Sequence, residues 1–183
     1  MLAVILWTHL ASEAFSGKFN KVLSVGDRAP SWIGLPGVDG KSHGLGDCKT
    51  RFIVVVLFAN HCPVCAAYEE RFKKLANDYR MRDVQLIAIS VSRADSDRLE
   101  KMKERARDSM LPFPYLLDES QETGLQFGAT TTPQIFILDG ERRVAYMGAF
   151  DDHWRDASKV ETHYARDALN ALLAGEKPEI RET

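Results

Sequence analysis

The chain has 183 residues, of which 45% are hydrophobic and 27% are charged, enough for one good core and too little for two. Its formal net charge of -2 at pH 7 gives no electrostatic reason to expect nucleic acid or an anionic membrane surface as a partner. Three cysteines, an odd number, exclude a disulfide-rich scaffold. The cysteines therefore have to be interpreted from their positions in the chain.

The N-terminus begins with the apolar run MLAVILW, which is far shorter than the roughly 20 residues of a membrane span. No Lys or Arg precedes Lys18, whereas a signal peptide begins with a basic region. We predict a short helix over residues 2–15, within an N-terminal extension at 1–21 that precedes a domain at 22–183. A trimmed leader is the alternative, so the compartment stays open between the cytoplasm and export.

The first half of the domain shows three successive patterns. Residues 25–46 are rich in Gly, Pro and Asp, which predicts a loop with short strands around the turn at 37–41. Residues 52–58 (FIVVVLF) are apolar without alternation, which is typical of a central strand buried on both faces. A helix follows, because its apolar residues are spaced as a single stripe, namely Tyr68, Phe72, Leu75 and Tyr79.

The second half continues with strands and helices in alternation. The predicted strands are 84–91, 113–117, 134–138 and 144–147, and the predicted helices are 94–109, 120–127 (capped by Ser120, ended by Gly128) and about 155–174 (ended by Gly175). This order predicts a parallel crossover of right-handed connection, followed by an antiparallel hairpin. The fold class is therefore α/β, a three-layer domain with a mixed central sheet and helices on both faces.

Two cysteines separated by two residues, in the stretch CPVC, follow the strand at 52–58 and open a helix. Free N–H groups and the positive end of a helix stabilise an anion, so Cys62 ionises more readily there, and the thiolate is the nucleophile. Cys65 lies one turn further on, near enough to attack a mixed disulfide. Pro63 suits the first helical turn but removes one N–H donor from the sulfur. We interpret Cys62 and Cys65 as a redox pair.

Two other interpretations of these cysteines are a zinc site and a pair of inert thiols. Zinc requires about four nitrogen or sulfur ligands. His61, Cys62 and Cys65 cluster, and His43 and Cys48 come earlier, but there is no second tight Cys/His pair. Cys48 is then a bystander or an accidental reactive thiol on the loop before the strand. A covalent haem site is excluded, because alanine follows Cys65 where the attachment motif needs histidine.

Residues beside the cysteines have open roles. His61 is either a proton donor or positive charge for the pair, or a surface residue. Val64 is the second residue between the cysteines and belongs with Pro63 to the candidate site. About seventy residues later, Thr132-Pro133 directly precedes the strand at 134–138, where proline is tolerated because the first residue need not donate a hydrogen bond. X-Pro bonds are where cis peptides occur, but most are trans.

The order of elements, with CPVC after the first buried strand and Thr132-Pro133 before a later one, resembles the thioredoxin-like superfamily. The segment before the first strand and the insertion around 92–113 resemble its redoxin branch, which covers the alkyl hydroperoxide reductase/thiol-specific antioxidant (AhpC/TSA) family. The resemblance covers about residues 22–175. It implies that Cys62 is the exposed nucleophile and Cys65 the resolving cysteine. It also implies that Pro133 is a cis-proline packed against them, with Thr132 offering its backbone to a substrate chain.

The sequence departs from the thioredoxin pattern at two positions. His61 stands where many thioredoxins have Trp, and Val56 stands where many carry a buried acid, which leaves the proton acceptor for Cys65 unassigned. A subgroup of the branch has Asn-His-Cys-Pro followed by aromatic-Val-Lys. This chain shares the first four residues but continues with Val64-Cys65. The similarity supports the fold and leaves the physiological reaction open.

A peroxide reductase of the same fold would carry the motif P-x-x-x-T-x-x-C. The Pro and Thr positions upstream of Cys62 are Val55 and Ala59, and those upstream of Cys65 are Phe58 and Cys62 itself. Neither cysteine fits the motif, so the proline and hydroxyl that would shape a peroxide pocket are missing.

The stretch 148–154 (GAFDDHW) follows the last hairpin strand, and by resemblance it lies beside the cysteine pair. Asp151, Asp152 and His153 then either tune the site or contact a partner. The alternative is a capped helix start, where acids are favourable to the helix dipole.

The sequence therefore predicts a thiol–disulfide oxidoreductase that acts through Cys62 and Cys65 on protein disulfides or dithiols, without a dissociable cofactor. Its partners would be protein thiols and an upstream reductase or oxidant, with no nucleic acid and no membrane span. The alternatives are a peroxide reductase and a non-catalytic zinc-binding module. The direction of electron flow stays open, because C-x-x-C proteins span about 150 mV, roughly 7 kcal/mol for two electrons.

Overall fold

The structure, a computed structural model, describes residues 17–183, so the helix predicted at 2–15 lies outside the described residues. The strands are β1 Leu35–Pro36, β2 Ser42–His43, β3 Phe52–Phe58, β4 Val84–Ser90, β5 Tyr115–Leu117, β6 Gln134–Leu138 and β7 Val144–Gly148. The helices are α1 Pro63–Tyr79, α2 Leu99–Asp108, α3 Glu122–Gln126 and α4 Tyr164–Leu173. Short 3-10 helices lie at Leu45–Asp47, Asp95–Asp97 and Ala157–Lys159.

A five-stranded mixed sheet in the order β5-β4-β3-β6-β7 forms the centre of the fold, which confirms the predicted class. Strand β3 pairs in parallel with β4 and antiparallel with β6. Because β3 and β6 run in opposite directions, the end of one lies beside the start of the other, and Leu57 is opposite Gln134. This register brings the loop after β3 next to the residues that precede β6.

All residues of β3 are buried, as the unbroken apolar run predicts. Different parts of the chain cover its two faces. Successive strand residues point to opposite faces. On one face Val54 and Val56 join a core with the predicted stripe of α1 and with α4. On the other face Ile53 and Val55 join a core with the N-terminal segment and with residues near α3, such as Phe127.

The starts of three helices differ from the predicted ones, and strand β5 begins at Tyr115 rather than 113. Helix α2 begins at Leu99 rather than 94, because residues 95–97 form a separate 3-10 turn. Helix α4 begins at Tyr164 rather than about 155, since the preceding chain makes another 3-10 turn and a loop. The N-cap of α3 is Gln121, although the Ser120 hydroxyl accepts a hydrogen bond from the Glu122 N–H. Among residues 17–183, no helix combines the length and apolar character needed to cross a membrane.

Candidate active site

Cys62 lies where β3 has ended and α1 begins, as the sequence predicts. It is the N-cap residue of α1, with Pro63 in the first helical position, and its Sγ accepts a hydrogen bond from the Cys65 N–H at 3.4 Å. The residue as a whole is partly exposed. This is the position in which the unpaired N–H groups of a helix start stabilise a thiolate.

Cys65 lies one turn further along α1 and is fully buried. It packs in the core that also contains Tyr68 and Phe72 of the same helix. Both cysteines are free thiols in the structure. The pair therefore consists of one partly exposed cysteine and one that only its neighbour and the protein interior contact.

The segment before β6 completes the surroundings of Cys62. The Thr132–Pro133 peptide bond is cis, as the resemblance implies. The Cys62 thiol donates a hydrogen bond to the Thr132 carbonyl oxygen at 3.2 Å, across a separation of 70 residues. The antiparallel register of β3 and β6 explains why these two distant segments meet.

The protein environment shifts the pKa values of the two thiols in opposite directions. Burial of Sγ opposes ionisation of Cys62. Hydrogen bonds outweigh this effect, and they come from the N–H groups of Cys65 and Val64 and from the side chains of Cys65 and Thr132. The pKa of Cys62 therefore lies below its ordinary 9.0. Burial, followed by the proximity of Cys62, raises the pKa of Cys65. Such a pair has one ready nucleophile and one protonated thiol in reserve.

Asn60 and His61 form the turn that precedes Cys62, and Asp97 holds both of them. One carboxylate oxygen of Asp97 accepts a hydrogen bond from the Asn60 N–H, and the other is 2.5 Å from Nδ1 of His61. Asp97 is fully buried, whereas the His61 side chain is 53% exposed. Sequence reasoning placed His61 beside the site but missed Asp97, which lies in the insertion more than thirty residues later.

Arg105 of α2 was also missed and holds the same turn from another side. Its Nη1 donates to the Asn60 carbonyl oxygen at 2.6 Å, and its Nε pairs with the Glu69 carboxylate of α1 at 2.7 Å. Arg105 belongs to a basic stretch at 101–107, and its side chain is 18% exposed, against 57% for Lys101 and 73% for Arg107. No pattern in the sequence distinguishes Arg105 from its exposed neighbours.

The acidic loop after β7 is built into the scaffold. Asp151 accepts hydrogen bonds from the Tyr68 hydroxyl at 2.8 Å and from Arg71 at 2.7 Å, both on α1. Asp152 accepts from two N–H groups of the chain before α4, and Nδ1 of His153 accepts from the Asp156 N–H. These contacts order the loop and dock it on the helix, so the structure gives the three side chains structural partners rather than contacts with the cysteines.

The earlier Cys and His residues are separated from the pair. Cys48 is buried in the core on the opposite face of the sheet from Cys65. Burial raises the pKa of Cys48. His43 pairs with Asp39 at 2.9 Å. Within the described part of the chain, no group of three or more His, Cys, Asp or Glu side chains is arranged to hold a metal ion.

Known proteins share this fold and part of this sequence. A thiol:disulfide interchange protein DsbE from Pasteurella multocida is 27% identical over 100 residues, which are 54% of this chain and 51% of the relative, so the chain spans about half the length of that protein. The crystal structure of an uncharacterised conserved protein from Geobacillus kaustophilus is 33% identical, with a TM-score of 0.81 and 89% of each chain covered. The thioredoxin domain of a thiol-disulfide oxidoreductase from Bacteroides vulgatus is 19% identical, with a TM-score of 0.58 over 67% of this chain and 86% of that domain, and shows the shared fold.

A family model also matches this sequence. It is described as AhpC/TSA family and matches residues 25–147, more than half of the chain, a range that contains both cysteines and Pro133. Together with the thiol:disulfide interchange relative, the match supports an oxidoreductase at the level of broad functional class. The protein therefore belongs to the AhpC/TSA family, in the redoxin branch of the thioredoxin-like superfamily.

Proposed function

We propose that the protein is a thiol–disulfide oxidoreductase that uses the Cys62/Cys65 pair on disulfides or dithiols of other proteins. In the reducing direction, the Cys62 thiolate attacks one sulfur of a substrate disulfide, a Cys62–substrate disulfide forms, and the other substrate sulfur leaves as a thiolate. Cys65 then gives up its proton and attacks Sγ of Cys62, which releases the second substrate sulfur. The substrate has gained two electrons and two protons, and the cysteine pair has lost them.

The asymmetry of the two cysteines is the observation that carries the proposal. Cys62 is partly exposed, caps a helix and has a lowered pKa, whereas Cys65 is fully buried with a raised pKa. Ordered two-step exchange requires a nucleophile that reaches a partner and a second thiol that reaches only the first. No dissociable cofactor enters this proposal, because the cysteine pair itself carries the electrons.

The surroundings of Cys62 suit a polypeptide substrate. The Thr132 carbonyl is already close to the sulfur, and the residues around it, 130–134, are exposed or partly exposed. His61 and Pro63, which flank Cys62 in the sequence, are exposed. A substrate chain lying over this surface would present its disulfide to Sγ, with the Thr132 main chain as a hydrogen-bonding partner. An upstream reductase or oxidant of the same thiol chemistry would restore the pair.

A peroxide reductase is the competing activity within the family. The positions that would supply its proline and threonine are Val55 and Ala59, and both are buried apolar residues. A peroxide oxygen next to Cys62 would therefore have no hydroxyl from this segment to hold it. Disulfide exchange needs no such pocket, and for this reason we favour it.

The first experiment is a redox titration of the purified protein in graded thiol–disulfide buffers, followed by alkylation and intact mass measurement. We expect a reversible loss of two hydrogens that maps to Cys62 and Cys65, and the midpoint will give the direction of electron flow. The metal content is measured on the same sample. Stoichiometric zinc without a reversible disulfide would overturn the proposal in favour of a zinc-binding module, and fast peroxide consumption with slow exchange would favour the peroxide reductase.

Cysteine variants test the two roles separately. Cys62→Ser should abolish dithiol–disulfide exchange, because the nucleophile is lost, and Cys65→Ser should trap a mixed disulfide with a substrate protein, because nothing resolves it. Cys48→Ser is the matched control, since Cys48 lies on the other face of the sheet, and its exchange rate should equal that of the wild type. A Cys65→Ser protein that traps no partner would contradict the assigned order of attack.

A further inference from the structure

Four hydrogen bonds from the segment between β4 and β5 hold the turn that precedes Cys62. Asp97 accepts from the Asn60 N–H and contacts the His61 ring. The Ser96 carbonyl oxygen accepts from the Asn60 side-chain amide at 2.7 Å. Arg105 donates to the Asn60 carbonyl oxygen. Each polar group of the Asn60 main chain, and its side chain, therefore has a partner in this one segment.

Asp97 is the buried centre of these contacts. Burying a carboxylate costs free energy unless hydrogen bonds compensate it, and here each oxygen has its own donor. Burial raises the pKa of Asp97, but the bonds from His61 and from the Asn60 N–H outweigh it and leave the pKa below its ordinary 3.8. An ionised carboxylate can only accept, so the ring nitrogen that faces it carries the proton. Nδ1–H of His61 therefore points inward to Asp97, which leaves Nε2 as the outer nitrogen of a half-exposed ring.

We propose that Asp97 is a positioning residue for Cys62, because it fixes the Asn60–His61 turn and the tautomer of His61 immediately before the nucleophile. The inference deepens the proposed function and rests on it for its biological meaning. The effect on Cys62 follows from its position as the N-cap of α1. The sulfur receives the N–H groups of α1 only while the preceding turn holds it at the helix start.

Other charged and titratable groups surround the turn and must be separated from Asp97. Arg105 comes from α2, Glu69 from α1 and Tyr115 from β5, where the Tyr115 hydroxyl is 3.4 Å from the Asn60 side-chain oxygen. On its own segment, Asp97 has Asp95 as a neighbour, which is 92% exposed and pairs only with Arg98 among the ion pairs of residues 17–183. Asp95→Asn thus deletes the same charge from the same short helix without touching the turn, and it is the matched control.

The experiment measures the rate of Cys62 alkylation against pH in the fully reduced protein, by mass spectrometry, for the wild type, Asp97→Asn and Asp95→Asn. Asparagine has one acceptor oxygen, so it cannot accept from both the Asn60 N–H and the Nδ1–H of His61, as the carboxylate does. A looser turn places the sulfur at the helix start less often. We expect the midpoint of the Asp97→Asn profile to rise by about one pH unit, which lowers the rate at pH 7 about tenfold. The Asp95→Asn profile should match the wild type.

A second variant and a second readout keep the test independent of folding. His61→Ala removes one donor of Asp97 at a half-exposed site, and it should shift the profile in the same direction by less. In the double variant the two effects should be less than additive, since both act through one contact. Nitrogen chemical shifts of the His61 ring should show a proton on Nδ1 in the wild type and a mixture of tautomers in Asp97→Asn.

Two outcomes would overturn the inference. One is a folded Asp97→Asn protein, judged by circular dichroism, whose alkylation profile superimposes on the wild type. The other is an Asp95→Asn profile that rises as far as that of Asp97→Asn, which would show that the effect does not depend on the contacts of Asp97 with the turn. Should Asp97→Asn fail to fold, an unshifted His61→Ala profile would have the same consequence. Because alkylation of reduced Cys62 requires no disulfide, a failed redox titration would count against the proposed function alone.

Discussion

Two buried aspartates contact residues near the start of α1, and they hold different parts of the molecule. Asp151, which is 4% exposed, accepts from the side chains of Tyr68 and Arg71 on the body of the helix. Asp97, which is fully buried, accepts from the main chain of Asn60 and the ring of His61, directly before the nucleophile. Both carboxylates are similarly buried and similarly satisfied. What distinguishes them is whether the atoms they hold determine where the Cys62 sulfur lies.

The comparison also shows how an analogy of fold can mislead. The acidic loop at 151–153 is next to the site by analogy of fold, and sequence reasoning named it as a candidate. Asp97 belongs to an insertion with many charged residues and was not identified from the sequence. The structure shows the loop docked on α1 and the insertion placed against the active-site turn. A position assigned by analogy of fold is therefore weaker evidence for a role at the site than the identity of the bonded atoms.

The largest expected change in stability comes from Asp151→Asn. It leaves the largely buried Arg71 guanidinium without its counter-ion, and breaking such a pair from one side costs about 3 kcal/mol. Urea unfolding should show this loss, whereas the alkylation profile of Cys62 should stay that of the wild type. Asp95→Asn, which removes a carboxylate at a 92% exposed position away from this loop, is the control. An Asp151→Asn profile shifted as far as that of Asp97→Asn would break the comparison.

A smaller effect is expected in the pH dependence of stability. The pKa of Asp97 is depressed in the folded protein, so its stabilisation is complete above the ordinary value of 3.8 and is lost as the pH falls through the folded-state pKa. The free energy of unfolding of the wild type should therefore exceed that of Asp97→Asn by about 1–2 kcal/mol at pH 6. This difference should shrink below pH 3.8. Urea unfolding of both proteins across that range tests the sign, and a gap that widens in acid would contradict it.

The smallest effect is expected from Arg105→Met, which keeps the aliphatic stem but removes the donors to Asn60 and Glu69. Losing these bonds should cost about 1 kcal/mol in the free energy of unfolding. The Cys62 alkylation midpoint should move in the direction of Asp97→Asn, but less far, because Asp97 still holds the turn. Arg107→Met, on the exposed side of the same helix, should change neither quantity. Equal behaviour of the two arginine variants would show that Arg105 does not help to hold the Asn60–His61 turn.

Much of the fold was predictable because its signals are local. The bounds of β3 and β6 agree with their apolar runs, and the stripe Tyr68, Phe72, Leu75 and Tyr79 is buried as its helical spacing predicts. The starts of α2 and α4 were wrong, since each follows a 3-10 turn in a polar stretch. The residues of such turns show no regular spacing of apolar side chains from which a boundary could be predicted. The bounds of the turns depend instead on hydrogen bonds to other parts of the chain, such as those that Asp97 and Asp152 accept.

The sequence by itself determined the strand, the helix start and the placement of Cys62 and Cys65 on them, because all of these depend on residues within one or two turns of each other. It also placed Thr132-Pro133 at the start of β6. Only the tertiary structure decided that the Thr132 carbonyl meets Cys62 and that Asp97 reaches the turn before it, across separations of 70 and 36–37 residues. The physical reason is that hydrogen bonds between distant segments follow from sheet register and from the path of an irregular loop, and neither leaves a periodic trace in the residues that make them.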